Sequence, residues 1–271
     1  MPHSRSVLAA TKGLTSLEGP HTVLPATNRI AVIASYGPTA EVSTSLEQMV
    51  MRLEECGYTA VISRASNDTA PLQFSADYTG SAIIIRKPNI GYDFGSWAVA
   101  LNLFPKIRRT RYVLLVNDSL VGPFGSLAPL VADFEASHAD VWAATNTTQF
   151  FPHIQSFFMG FHRNVLNDGP MKFFWNNLQV ETDKTRIIHQ YELGLSRFLF
   201  GEAYAVTACY QAELVVETGL NPSVWGWKRL LELGFPFVKR ELVVNPALVP
   251  DAEQLPEIVS ARYGADPRSW T

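Results

Sequence analysis

Apolar residues come as short unbroken blocks in the first half of the chain and as aromatic-rich, mixed blocks in the second. Residues 30–36 (IAVIASY) form a strand-length run without alternation, which predicts a strand buried on both faces. Gly37-Pro38 breaks it. Over 42–56, Leu46, Met49, Val50 and Leu53 recur at helical spacing and Gly57 supplies the stop. Residues 58–63 (YTAVIS) form a second β-rich run, so this strand–helix–strand unit is predicted to be parallel and right-handed. Residues 81–86 and 112–116 predict two further buried strands with a helix over 93–103 between them. A helix over 123–136 and a strand over 140–144 follow. Alternation of this kind predicts an α/β fold with an open, mainly parallel sheet flanked by helices.

The second half reads differently. It predicts a strand over 155–162, an aromatic-rich segment over 171–178, a helix over 183–200 ended by Gly201, a strand over 204–210 and a short helix over 222–233. Residues 1–28 show little periodicity and are expected to be an irregular arm. Residues 29–150 and 151–271 then read as two halves of one domain.

Composition narrows the function. A 47% hydrophobic content suits a sizeable core, and a net charge of −3 argues against a nucleic-acid binder. The basic cluster Lys106, Arg108, Arg109 and Arg111 reads as a solvated corner between helix and strand rather than a lipid or phosphate contact. The two cysteines, Cys56 and Cys209, sit in apolar patterns and indicate no disulfide framework, which suits a reducing compartment. The chain lacks a signal-peptide layout and any stretch of about 18 apolar residues, so a cytoplasmic protein is expected.

Four segments carry candidate chemistry. Asn117-Asp118-Ser119 directly follows a predicted strand of the parallel sheet, and ligands bind beyond the carboxyl ends of such strands. A carboxylate there could bridge a hard divalent cation to phosphate oxygens, although all three residues equally suit a turn. In Asn89-Ile90-Gly91-Tyr92-Asp93-Phe94-Gly95, two glycines four apart allow a close backbone approach to a ligand, and Asp93 or Ser96 can cap the helix that follows. His153, Gln155 and Ser156 offer the dense hydrogen-bonding lining that sugars need, or an ordinary strand entrance. On the helix over 183–200, Ile188, Tyr191, Leu195, Phe198 and Leu199 form an apolar stripe. His189, Glu192 and Ser196 border it, where a carboxylate can serve as a general base or simply be a polar flank. Trp97, Trp142, Trp175, Trp225 and Trp227 could stack on a sugar or a base, though most are expected in the core.

In order and spacing, NIGYDFGSW, YVLLVNDSLVGPF, ADVWAAT, HIQSFFMGF and IIHQYELGLSR together resemble the rhamnan synthesis protein F family of bacterial polysaccharide assembly. The resemblance spans about residues 30–210. It implies a GT-A-like glycosyltransferase that moves a deoxysugar, typically L-rhamnose from a dTDP donor, onto a growing glycan. On that reading residues 29–150 bind the nucleotide sugar and residues 151–271 form the acceptor and catalytic half. Asn89, Gly91, Tyr92, Asp93, Asn117, Asp118 and Ser119 would contact the donor. Asp118 would match the metal-binding aspartate and hold Mg²⁺ or Mn²⁺, and Glu192 would be the catalytic base of an inverting displacement. His153, Gln155, Ser156 and His189 would position the sugars. The acceptor would be a glycan or lipid-linked glycan, which implies peripheral contact at the inner membrane face. Two departures stand out: a single carboxylate in Asn117-Asp118-Ser119 where the metal signature has two, and a single acid in Tyr191-Glu192-Leu193. Without a metal, Arg86, Lys87, Arg163 or Arg197 would have to neutralise the diphosphate. A Rossmann-like methyltransferase using Gly91–Gly95 would want a tight Gly-X-Gly turn after the first strand, where Ser35-Tyr36-Gly37-Pro38 stands. A non-catalytic glycan- or nucleotide-binding module is the third reading.

Overall fold

The computed structural model describes residues 5–271, without the side chains of Lys184, Thr185 and Ile188. The strands are β1 Ser16–Glu18, β2 Arg29–Tyr36, β3 Thr59–Ala65, β4 Ile83–Lys87, β5 Tyr112–Asn117, β6 Leu120–Val121, β7 Val141–Thr147, β8 His153–Ile154, β9 Phe158–His162, β10 Val206–Tyr210 and β11 Val238–Lys239. The helices are α1 Val7–Thr11, α2 Thr44–Glu55, α3 Tyr92–Leu103, α4 Ala128–Ala136, α5 Gly169–Asn176, α6 Lys184–Ile187, α7 Leu193–Gly201, α8 Pro222–Trp225, α9 Trp227–Glu232, α10 Arg240–Val244 and α11 Leu255–Tyr263.

The main sheet has the order β1-β4-β3-β2-β5-β9-β7-β10, with β8 attached to β7. β4, β3, β2 and β5 are mutually parallel, as the strand–helix alternation predicts. β9 runs antiparallel to both β5 and β7, so β7 regains the direction of β5, and β10 is parallel to β7. The α/β fold with a large, mainly parallel sheet is the expected one.

The unbroken apolar runs are explained by cover on both faces. Ile30, Val32 and Ala34 of β2 face one core with α3, α5 and α7, whereas Ala31 and Ile33 face a second core with α2 and α4. α2 starts where Ser43 Oγ accepts the Leu46 N–H at 3.4 Å and buries Leu46, Met49, Val50 and Leu53. α3 is buried almost all round, from Phe94 to Leu101, because it lies between the sheet and the N-terminal helix. Its Trp97 is fully buried and donates Nε1–H to the Val116 carbonyl at 3.0 Å. A third cluster, under α9 and α11, joins Trp227 and Leu231 of the expected 222–233 helix to residues between 238 and 259, which no sequence pattern had assigned.

Three expectations are corrected. The described part of the N-terminal arm is ordered: α1 buries Val7, and β1 adds antiparallel to β4 as an edge strand. Elements of five and three residues are too short to leave a periodic signal. The helix expected over 123–136 begins only at Ala128, because β6 and the Gly122-Pro123 turn take up the preceding residues. The helix expected over 183–200 is interrupted by a π-helical turn over Ile188–Glu192.

Gly91 and Gly95 do permit a close approach, but the partner is this chain's own helix. A Cβ at Gly91, where φ is +81°, would stand 2.8 Å from Val7 Cγ2 and 3.0 Å from the Gly95 Cα. Gly91→Ala combines a left-handed backbone with overpacking and is expected to lower stability by about 2–4 kcal/mol. Urea unfolding measures this, and Val7→Ala in the same background should return part of the loss, since the two sites touch.

Candidate functional site

All the parallel strands of the main sheet end at one rim, and the reversed β9 begins there. β2 ends in Ser35-Tyr36, β3 in Arg64-Ala65 and β5 in Asn117, followed by Asp118. Asp118 Oδ2 accepts the Ser35 hydroxyl at 2.8 Å and the Tyr36 N–H at 3.0 Å. Ser35 Oγ in turn accepts Arg64 Nη1–H at 2.7 Å, and Arg64 Nη2 donates to the Thr39 and Glu41 carbonyls at 3.2 and 3.0 Å. Gly37 makes this possible, because a Cβ there would occupy the position of the Arg64 guanidinium. The turn after the first strand is thus filled by an arginine, which removes the space a dinucleotide-type glycine loop would need.

Asn117 carries the network sideways. Its Nδ2 donates to Asp93 Oδ2 at 2.8 Å, and its Oδ1 accepts the Ser119 N–H at 3.1 Å and hydroxyl at 2.6 Å. The Asn117 N–H donates to the Phe157 carbonyl at 3.1 Å, and the neighbouring Ser156 N–H donates to Glu192 Oε1 at 3.2 Å. The π-helical turn ends at Glu192, where the extra residue per turn keeps Tyr191 buried while its neighbour reaches the rim. A short chain of contacts therefore joins Asp118, Asp93 and Glu192. The strand β11 pairs with β6 so that Lys239 lies opposite Leu120, two residues beyond Asp118. Arg240 donates from Nε and Nη2 to the Asp118 carbonyl, both at 3.1 Å, and Lys239 Nζ lies 5.3 Å from the centre of the Phe157 ring.

The electrostatics follow from this crowding. Burial and the negative charge of Asp118 push the Asp93 carboxyl up to about 7; Glu192 adds to the rise, and Lys239 and the Asn117 hydrogen bond oppose it. Burial also raises Asp118, while Ser35, Tyr36, Arg240 and Arg64 hold it down. Burial lowers Lys87 to about 8; its Nζ donates to the Ile90 carbonyl at 2.9 Å and fixes the loop before α3. A cleft of about 410 Å³ opens beside Asp118, lined by Tyr36, Arg64, Ser119 and Arg240 among others.

The structure thus gathers Asp93, Asn117, Asp118, Ser119, Ser156 and Glu192 at one rim. Gln155 is buried in an internal network instead: Thr145 Oγ1 donates to its Oε1 at 2.7 Å, and its Nε2 donates to Asn221 Oδ1 at 3.1 Å and Ser223 Oγ at 3.2 Å. Its amide is fully used as a fastener and is not available to a sugar. His153 is buried, with Nδ1 2.7 Å from the Phe151 carbonyl, and His189 is exposed against the Phe150 ring. Gly91 is buried beneath Val7, while Asn89 and Tyr92 are exposed around the same loop. Ser196 is buried, where its hydroxyl accepts the Ile154 N–H. The side chain of Ile188, counted in the apolar stripe, lies outside the described residues. Of the alternative cations, Arg163 follows β9 at the opposite rim, where its N–H bonds the Arg111 carbonyl, and Arg86 is paired with Glu18 at 2.8 Å. Arg197 stacks on Phe151, and Arg108 is buried at the far corner rather than solvated.

Sequence reasoning missed Ser35, Arg64, Lys239 and Arg240. An arginine at the end of an otherwise apolar strand was the available signal for Arg64.

Among the described residues no three His, Cys, Asp or Glu side chains come together as a metal site, and Asp118 Oδ2 and Asp93 Oδ2 are hydrogen-bonded to Ser35, Tyr36 and Asn117. Among the described residues, no helix is long and apolar enough to cross a membrane, and Cys56 and Cys209 are both free.

The profile of the rhamnan synthesis protein F family matches residues 61–263. The chain belongs to the rhamnan synthesis protein F family. The matched span contains Arg64, Asp93, Asp118, Glu192, Lys239 and Arg240, and begins after Ser35 and Tyr36. Over 202 residues the chain is 30% identical to the virulence protein VirA of Vibrio anguillarum, covering 62% of this chain and 65% of VirA. It is 25% identical over 155 residues to the uncharacterized protein y4gN of Sinorhizobium fredii, covering 55% of this chain and 40% of that protein. The chain therefore spans less than two thirds of either relative. Among solved structures, a glycosyltransferase involved in glycosylation of the major capsid of PBCV-1 superposes with a TM-score of 0.41 at 13% identity, covering 68% of this chain and 82% of that one.

In this member of the rhamnan synthesis protein F family, Asp93 gives the site a pH signature. Its carboxyl rises from an ordinary 3.8 to about 7 on folding, so between those values the folded state holds a proton the unfolded chain has lost. Stability then falls as pH rises through that window and levels off above it. Asp93→Asn should remove this slope. Between pH 5 and pH 8 the variant is expected to gain about 2 kcal/mol on the wild type, allowing for partial screening by water. Denaturant unfolding across that range checks the sign.

Proposed function

We propose that the chain is a glycosyltransferase of the GT-A type that moves a sugar from a nucleoside-diphosphate donor to a glycan acceptor. The observation that carries this reading is the meeting, on one rim, of a cleft lined by Arg64 and Arg240 together with Glu41 and Asp118, and a connected set of carboxylates. The carboxyl edge of an open parallel sheet is where such folds bind ligands. Arg64 and Arg240 are the cations a diphosphate would meet in the cleft, beside the acids Glu41 and Asp118, and fixed charges aimed at a leaving group stabilise the charge it develops. The exposed ring of Tyr36 stands at the cleft and offers a face for the base. The family's description favours a 6-deoxyhexose donor, dTDP-L-rhamnose first among them.

In the proposed step the acceptor hydroxyl oxygen attacks the anomeric carbon. The bond from that carbon to the diphosphate oxygen breaks, and its electron pair leaves with the nucleoside diphosphate. The hydroxyl proton passes to Glu192, and the anomeric centre inverts. Glu192 suits the role because the Ser156 N–H holds one oxygen and the side chain is partly open to the rim. Asp93 is the second candidate for the base, on the observation that its carboxyl is poised near neutrality.

Glu192→Gln is expected to leave donor affinity near normal and to reduce turnover by roughly 10²–10⁴-fold. If Asp93→Asn, and not Glu192→Gln, abolishes turnover with donor binding intact, the proton goes to Asp93. Arg240→Gln is expected to weaken nucleoside-diphosphate affinity by about tenfold or more through loss of a charge-assisted contact. Arg163→Gln, at the opposite rim, should leave it unchanged. Calorimetric titration with dTDP measures both; equal affinities in the two variants would remove the cleft from the reading.

A further inference from the structure

The chain has six tryptophans, and four of them, Trp97, Trp142, Trp175 and Trp227, are buried to within 1%. Trp225 is 49% exposed, at the end of the four-residue helix α8. It borders a shallow groove of about 860 Å³ whose other wall is the loop over 213–220, with Glu213, Leu214, Val215 and Glu217. With Leu214, 69% exposed on the facing loop, the Trp225 indole makes an apolar patch on a concave surface, the kind of feature that marks a binding site.

The groove is a built feature. Asn146 Nδ2 donates to Gln211 Oε1 at 2.7 Å, and Asn146 Oδ1 accepts the Ala212 N–H at 2.7 Å. The Gly219 N–H donates to Thr148 Oγ1 at 2.9 Å. The loop is thus stitched to the end of β7, on the rim where Asp118 stands. Gly226 lets the two walls meet, since a Cβ there would collide with Val215 and lie 2.7 Å from Val216 Cγ1. The opposite wall is tied to the site through Gln155, which bonds Asn221 and Ser223 at the start of α8 and directly precedes Ser156, the residue that holds Glu192.

The chemistry of the lining selects the ligand. The ionisable side chains on the groove, Glu213 and Glu217, are both acidic, so an anionic lipid, nucleic acid or nucleotide would be repelled. A pyranose has an apolar C–H face that covers an indole and hydroxyls that donate to carboxylates, and the methyl of a 6-deoxyhexose would add contact with Leu214 and Val215. We propose that the groove between Trp225 and the 213–220 loop binds the uncharged acceptor glycan and leads its end to Glu192. This rests on the glycosyltransferase reading for its purpose, but not for its test.

The probe is a trisaccharide of α-linked L-rhamnose, observed by saturation-transfer NMR and by tryptophan fluorescence, with no donor present. In the wild-type protein, saturation is expected to reach the sugar's ring C–H and methyl protons. Trp225→Phe should retain the effect, and Trp225→Ala should weaken affinity at least tenfold while leaving dTDP affinity unchanged. Because the indole is half in water, the variant is expected to fold, and an unchanged thermal midpoint verifies it. No saturation in the wild type, or equal saturation in wild type and Trp225→Ala, overturns the groove. Failure of the transferase reading shows separately, as absence of dTDP binding at the Arg64–Arg240 cleft. With donor present, the Ala variant should raise the acceptor KM at least tenfold and leave donor hydrolysis by water unaltered.

Discussion

Ionising a carboxyl away from water is costly, and a second carboxylate nearby raises that cost further. Asp93 bears both, burial first and then the negative charges of Asp118 and Glu192. The fold answers this cost in two ways. Asp93 is pushed up to about 7, and the rise that burial imposes on Asp118 is opposed by Ser35, Tyr36, Arg240 and Arg64. Arg64 takes part in this balance only because Gly37 leaves room for it.

Strand direction decides which residues take part. β9 is reversed within an otherwise parallel run from β4 to β7, so its first residues, not its last, meet the end of β5. Ser156 and Phe157 therefore come beside Asn117, and Arg163 is carried to the far rim. A parallel β9 would have exchanged them and separated Glu192 from Asp118. The two-residue pairing of β11 with β6 has the same effect from the other side. A short strand late in the chain delivers Lys239 and Arg240 to a site built mostly from the first half.

Elements whose signal is local were legible in the sequence. The runs around Ile30, Val61, Ile84 and Leu114 could only be strands buried on both faces, and the spacing of Leu46, Met49, Val50 and Leu53 could only be a helix. The placement of Asn117-Asp118-Ser119 after a parallel strand already pointed to the rim. What was not legible depended on tertiary partners. The spacing of Gly91 and Gly95 looked like a place for a ligand because nothing in the sequence says that Val7 fills it. Gln155 looked like a sugar contact because its internal partners Thr145, Asn221 and Ser223 are 10 to 68 residues away. The π-helical turn at Glu192 has no periodic signature of its own, and the segment carrying Lys239 and Arg240 is too irregular for pattern reading.

On the proposed reading, a difference in charge between cleft and groove would help the rim sort two substrates. The cleft beside Asp118 sets Arg64 and Arg240 among the acids Glu41 and Asp118, whereas the groove beside Trp225 carries only the acids Glu213 and Glu217 among its ionisable side chains. On that proposal an anionic donor would meet guanidiniums only in the first and be repelled from the second, and a neutral glycan would cover the indole. Glu192 is held by the backbone of Ser156, whose predecessor Gln155 is bonded into the groove wall. A donor in the wrong groove or an acceptor in the cleft would leave buried or crowded charges unmatched, a penalty that steric shape alone would not impose.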